Sequence, residues 1–99
     1  MIQVRQVFQC KYGRGDELVA LFKEADEKGR QRFPSLKQRV MTDVAGEFFT
    51  VVTEMEVESL AAWEALLPQM FSDPEFGHWF ARMQEVVESG RREFWTIAS

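Results

Sequence analysis

A chain of 99 residues, 45% of them hydrophobic, is long enough for one packed domain, too short for two, and too apolar to be disordered. A net charge of −4 with no basic stretch argues against the electrostatic footprint of a nucleic-acid or anionic-membrane binder. The single cysteine rules out an intrachain disulfide, no run approaches the ~20 apolar residues of a membrane span, and Arg5 and Lys11 interrupt any leader-like stretch, so a soluble cytoplasmic protein is expected.

Residues 2–11 alternate, with Ile2, Val4, Phe8 and Cys10 on one face and Gln3, Arg5, Val7 and Gln9 on the other, the period of a strand. Gly13-Arg14-Gly15-Asp16 breaks it, and Asp16 is the expected N-cap of a helix. At about 100° per residue Leu18, Leu21, Phe22 and Ala25 fall in one arc, and Glu24 precedes Lys28 by one turn, predicting an amphipathic helix that ends near Gly29 or Arg30. Phe33-Pro34-Ser35 is the exit, since a residue before proline is pushed out of the helical region.

Residues 36–43 and 47–57 read as strands of an antiparallel hairpin turning at Val44-Ala45-Gly46. Ser59 is placed to cap a helix running to Leu67, with Leu60, Trp63 and Leu67 on one side, and Pro68 is expected to interrupt it. Asp73-Pro74 restarts a helix whose stripe is Phe76, Trp79, Phe80, Met83, Val86 and Val87. Gly90 is expected to close that helix, with Arg91 and Arg92 near the negative end of its dipole, and residues 93–98 form a last strand.

The order is βαββαβ, the ferredoxin-like α+β pattern: a four-stranded antiparallel sheet with helices on one face, over residues 1–99 as one domain. The open face is expected to be apolar too. Phe48 and Val52 are assigned to one side of the third strand, Phe49, Val51 and Met55 to the other, and Val7, Trp95 and Ile97 add to the excess. Exposing several such groups costs on the order of 1.5–3 kcal/mol each, so a second copy is expected to cover them as a homodimer.

The opening strand followed by Tyr12-Gly13-Arg14-Gly15, the hairpin, and the block Ser72-Asp73-Pro74-Glu75-Phe76 leading into Trp79-Phe80 together resemble the dimeric α+β-barrel superfamily, and within it NIPSNAP-like proteins. The resemblance covers essentially the whole chain. It implies two sheets packed face to face across a dimer, and a pocket between sheet and helices. It also implies chemistry that ranges from cofactor-independent oxygenation of quinol-type substrates through haem degradation and isomerisation to no reaction at all. The haem-degrading branch uses an Asn-Trp-His set, and this chain has no asparagine.

His78 is the only histidine, so no Cys/His or multi-His metal cluster can form within one chain, and neither metal nor cofactor is expected. It lies about 200° from Phe76 on the wheel, where it is an ordinary exposed residue or a general acid or base facing a cleft beside Pro68. Cys10 reads as a buried, inert thiol. Arg5, Arg39 and Glu54 are mid-strand charges, solvated or ion-paired; in a dimer Arg5 and Arg39 share the barrel-facing side, holding an anionic ligand group or pairing across the interface. Trp63, Met70, Phe71, Trp79 and Trp95 are core residues or the lining of an apolar pocket. The candidate ligand pocket is therefore Arg5, Arg39, Trp63, Phe71, Trp79 and Trp95, with His78 a catalytic candidate. The expected function is binding of a small apolar or aromatic molecule by a NIPSNAP-like dimer. The alternatives are a cofactor-independent monooxygenase of the antibiotic-biosynthesis type and a ligand-free interaction domain.

Overall fold

The computed structural model describes residues 1–32 and 37–99. The elements run β1 (Ile2–Cys10), α1 (Gly15–Arg32), β2 (Gln38–Thr42), β3 (Thr50–Val57), α2 (Leu60–Phe71), α3 (Pro74–Val86) and β4 (Val87–Thr96). The strands form one antiparallel sheet in the order β2-β3-β1-β4, so β1 and β3 are central and the two later arrivals hold the edges. This is the α+β ferredoxin-like arrangement expected from the alternation of periods. Among the described residues no helix is long and apolar enough to cross a membrane.

Alternation sorts the side chains to two faces. Val4 and Cys10 of β1 and Val51 and Val57 of β3 are buried beneath the helices. The stripe of α1 seals one end: Leu18, Leu21 and Phe22 meet Cys10, Val51 and Val86 in one cluster. A second, smaller cluster of Val4, Val57 and Trp63 occupies the other end. The two do not merge, and the row between them on the sheet is Gln6, paired with Thr53 on one side and Arg92 on the other.

Several boundaries differ from the sequence-based expectation. Asp16 is not the N-cap, because α1 already begins at Gly15 and Asp16 sits with Glu17 in the first turn, where a negative charge suits the helix dipole. Glu24 and Lys28 each make their ion pair across to α3: Glu24 takes Arg82 at 3.1 Å and Lys28 takes Glu75 at 3.1 Å, tying the two helices. The expected exit at Phe33-Pro34-Ser35 and the strand residue Leu36 lie outside the described residues.

The hairpin is present with a longer connection, Asp43 to Phe49, so Phe48 and Phe49 are loop residues. The Thr50 N–H donates to the Asp43 carboxylate at 3.0 Å, closing the loop, while Phe49 takes a left-handed backbone at φ +59°. Ser59 caps α2 as expected, accepting from the Ala62 N–H at 3.1 Å. Pro68 does not end that helix, which continues to Phe71. The carbonyl that proline leaves without its usual donor belongs to Glu64, and both residues are exposed, so water can serve it. Asp73 caps α3 with its carboxylate on the Glu75 N–H at 3.0 Å, and Pro74 opens it.

The largest difference lies at the C-terminal end. Gly90 is not a helix cap, and Val87, Arg91 and Arg92 are not helical: β4 starts at Val87, six residues before the expected position. Gly90 stands opposite Phe8, where an added Cβ would sit 3.3 Å from the Phe8 ring and from the Val7 carbonyl oxygen. The glycine serves close approach within the sheet.

Candidate functional site

The open face is less apolar than expected, because moving Phe48 and Phe49 into a loop leaves Val7, Val52, Met41 and Trp95 as its main hydrophobic groups. Val7, Val52 and Met41 are cross-strand neighbours in one row. The adjacent row is charged on every strand: Arg39 of β2 opposes Glu54 of β3, Glu54 opposes Arg5 of β1, and Arg5 opposes Glu93 of β4. Arg39 reaches Glu54 at 3.4 Å. Glu93 stands between two guanidinium groups, Arg91 at 3.0 Å and Arg5 at 4.0 Å, and also accepts from the Trp95 indole N–H at 3.0 Å. These partners hold the Glu93 carboxyl below its ordinary range, the Arg91 hydrogen bond contributing most. The Arg5 Nε is buried without a hydrogen-bond acceptor.

Beside this row the face dips into a bowl of about 500 Å³, lined by Arg5, Val7, Gln9, Glu47, Thr50, Val52, Ser89, Gly90 and Arg91. Its two arginines already share Glu93.

The helix-facing side offers a different environment. Gln6 lies on a central strand beneath the helices yet stays partly accessible, and its neighbour Thr53 is buried, its hydroxyl donating to the Gln6 side-chain oxygen at 3.4 Å. Arg92, on the other flank of Gln6, lays its guanidinium over the Trp63 ring at 5.3 Å, and Phe94 meets the same ring edge-on at 5.9 Å. Among the described residues Arg92 has no carboxylate partner. A chain of rings leads inward from α2: Phe71, which is 60% exposed, touches Phe76 at 5.1 Å, Phe76 stacks on Trp79 at 5.6 Å, and Trp79 meets Phe22 at 5.5 Å. The polar row thus runs from buried Thr53 through half-buried Gln6 to exposed Arg92, with Trp63 and Phe94 at its outer end.

The candidate pocket residues fall on both sides of the sheet. Arg5, Arg39 and Trp95 belong to the open face, and Trp63, Phe71 and Trp79 to the helix side. Trp63 is a buried core residue. Trp79 is fixed by its indole N–H, which donates to the Leu21 carbonyl at 2.7 Å. Met70 is half-buried near the end of α2, and His78 is exposed on α3. Cys10 is 1% exposed, and burial, helped by the Asp43 charge, pushes its thiol up. Sequence reasoning missed Gln6, Thr53 and Arg92. A glutamine and a threonine at apolar phase in otherwise hydrophobic strands were the available signal for two of them. Arg92 was hidden by its assignment to a helix end.

Among the described residues no group of three or more His, Cys, Asp or Glu side chains is placed to hold a metal. No protein-family model matches the chain, and no curated protein matches its sequence. Solved structures do match its fold. An uncharacterized NIPSNAP domain protein from Burkholderia xenovorans superposes with a TM-score of 0.86 at 15% identity, over 100% of this chain and 96% of the other. A NIPSNAP family protein from Agrobacterium tumefaciens gives 0.86 at 14% identity, over 98% and 85%. An antibiotic biosynthesis monooxygenase gives 0.73 at 17% identity, over 100% of both chains. The fold is that of the NIPSNAP proteins and, at lower similarity, of this monooxygenase; at such identities the likeness carries architecture and no specific function.

Proposed function

We propose that the chain is a single-domain, cytoplasmic, homodimeric binder of a small aromatic molecule bearing an acidic group, held between the sheet and the helices. The observation that carries this reading is the polar row Thr53-Gln6-Arg92 between two separate apolar clusters, with the exposed Arg92 cation stacked on Trp63 and, among the described residues, without a carboxylate partner. An exposed guanidinium stacked on an indole keeps its N–H groups free to bind a carboxylate, and flat apolar walls favour a ring. The bowl on the open face is the weaker candidate, since its two arginines share the Glu93 carboxylate and Glu47 adds a second negative charge to its lining. A single cysteine supports a reducing location.

The test is a thermal-shift screen of simple aromatic carboxylates against their neutral amides, because a ligand of the native state raises Tm by mass action. Aromatic acids at about millimolar concentration raise Tm, and Arg92→Gln removes the shift without lowering the Tm of the free protein. No shift with any aromatic acid, or an equal shift with the amides, overturns the reading. A second reading, a cofactor-independent monooxygenase, is supported by the fold likeness to the antibiotic biosynthesis monooxygenase. Oxygen uptake with a quinol, lost in His78→Ala, is its expected signature.

A further inference from the structure

On the helix side of the sheet Gln6 stands between Val4 and Phe8 along β1, so its amide lies in the gap between the two apolar clusters. Its cross-strand neighbours are Thr53 of β3 on one flank and Arg92 of β4 on the other. Directly opposed side chains on one face start about 5 Å apart at Cβ, so the Gln6 amide and the Arg92 guanidinium are within reach of one small molecule.

The two ends of that amide are not equivalent. Thr53 is buried, and its hydroxyl donates to Gln6 Oε1 at 3.4 Å. The amide nitrogen, a donor of two hydrogens, is left without an acceptor among the described residues. It is not sealed off, because the one buried side-chain nitrogen or oxygen lacking a hydrogen bond among those residues is Arg5 Nε, on the other face. The row therefore offers only donors to a visitor: a guanidinium at Arg92 and a neutral N–H pair beside it.

We propose that the ligand is an aryl 2-oxo acid, its carboxylate on Arg92 and its carbonyl oxygen on the Gln6 amide nitrogen, with Thr53 as the positioning residue that turns this nitrogen outward. This rests on the aromatic-acid reading above and adds the group read next to the acid. A carbonyl oxygen only accepts, so the amide nitrogen satisfies it fully. A hydroxyl in its place would accept one hydrogen and bring a proton of its own, while the amide oxygen that could take it is engaged by Thr53. A methylene would displace water from the amide nitrogen and return nothing. In a 2-oxo acid the two oxygen-bearing groups are bonded neighbours, matching two side chains that are neighbours across strands. The ring has room as well. Two residues before Arg92, on the same face, is Gly90, so the wall there is the ring of its partner Phe8 and not a side chain of β4.

Calorimetric titration of the full chain with benzoylformate, mandelate and phenylacetate tests this. The three share a phenyl ring and a carboxylate ionised at neutral pH, and differ in carrying a carbonyl, a hydroxyl-bearing carbon or a methylene between them. Benzoylformate is expected to bind about tenfold more tightly than phenylacetate, the net worth of one hydrogen bond, with mandelate weaker than benzoylformate. Gln6→Leu removes the preference for benzoylformate and leaves phenylacetate binding as it was. Thr53→Val, of nearly the same shape, frees the amide to turn, so the ratio of benzoylformate to mandelate affinity falls while phenylacetate binding holds. A merely structural role for either residue would weaken all three ligands together. Binding of none of the three overturns the aromatic-acid reading and this inference with it. Equal binding of all three to the wild type, lost in Arg92→Gln, overturns this inference alone, and so does a benzoylformate preference that survives Gln6→Leu. A ratio unchanged in Thr53→Val overturns the part given to Thr53. The wild-type comparison needs no variant, so it decides even if Gln6→Leu or Thr53→Val fails to fold.

Discussion

Gly90 and Phe8 form the tightest pairing in the sheet that a single atom can disturb. A methyl group at residue 90 would meet the Val7 carbonyl oxygen and the Phe8 ring, both at 3.3 Å. The ring can turn, whereas the carbonyl belongs to a central strand and cannot. Gly90→Ala is therefore expected to cost about 1–3 kcal/mol as local overpacking, seen as a lower urea midpoint with an unchanged slope. An unaltered midpoint would show that the edge strand gives way freely. Gly13 and Gly46 are constrained in another way, at φ +81° and +115°, conformations L side chains rarely adopt. Phe49 reaches +59° a few residues on, held by its edge-on contact with Tyr12 at 4.8 Å.

Between α1 and α3 the fastening is partly ionic, which gives it a pH dependence. The Arg82 guanidinium holds the Glu24 carboxyl below its ordinary value, chiefly by hydrogen bonding. A carboxyl depressed in the folded state contributes stability above its unfolded value, and that contribution disappears as pH falls through the folded one. The loss thus falls in the acid range, below the ordinary carboxylate value of 4.5. Glu24→Gln should make the urea midpoint fall less steeply below about pH 5 than in the wild type; parallel curves would mean that the pair is fully screened. These elements were legible because their periods are unambiguous: the stripe of α1, the Asp73-Pro74 start and the alternation of β1 all stand where the sequence places them. The start of β4 was not, since Val86-Val87 continues the stripe of α3 and Gly90 followed by arginines imitates a helix end. Which state wins there is decided by pairing with β1, a contact some eighty residues away in the chain. The same error hid Arg92 from the candidate site, whereas Arg5 and Arg39 were correctly assigned to the open face.

For the molecule as a whole, two surfaces of the sheet serve two purposes. One side carries the core and the strip around Gln6; the other carries the alternating charges. If copies associate through the second, the native state is stabilised by mass action, and Tm should rise with protein concentration. A Tm that is constant over about a hundredfold dilution would place the association outside the folding equilibrium. The junction of α3 and β4 gives this division a mechanical side. Val86 ends the helix and Val87 opens the strand, leaving no residue between them to absorb a change of φ and ψ. The change from helical to extended backbone is made at the two element-terminal residues themselves, so any displacement of α3 against β4 has to be absorbed at Val86 and Val87.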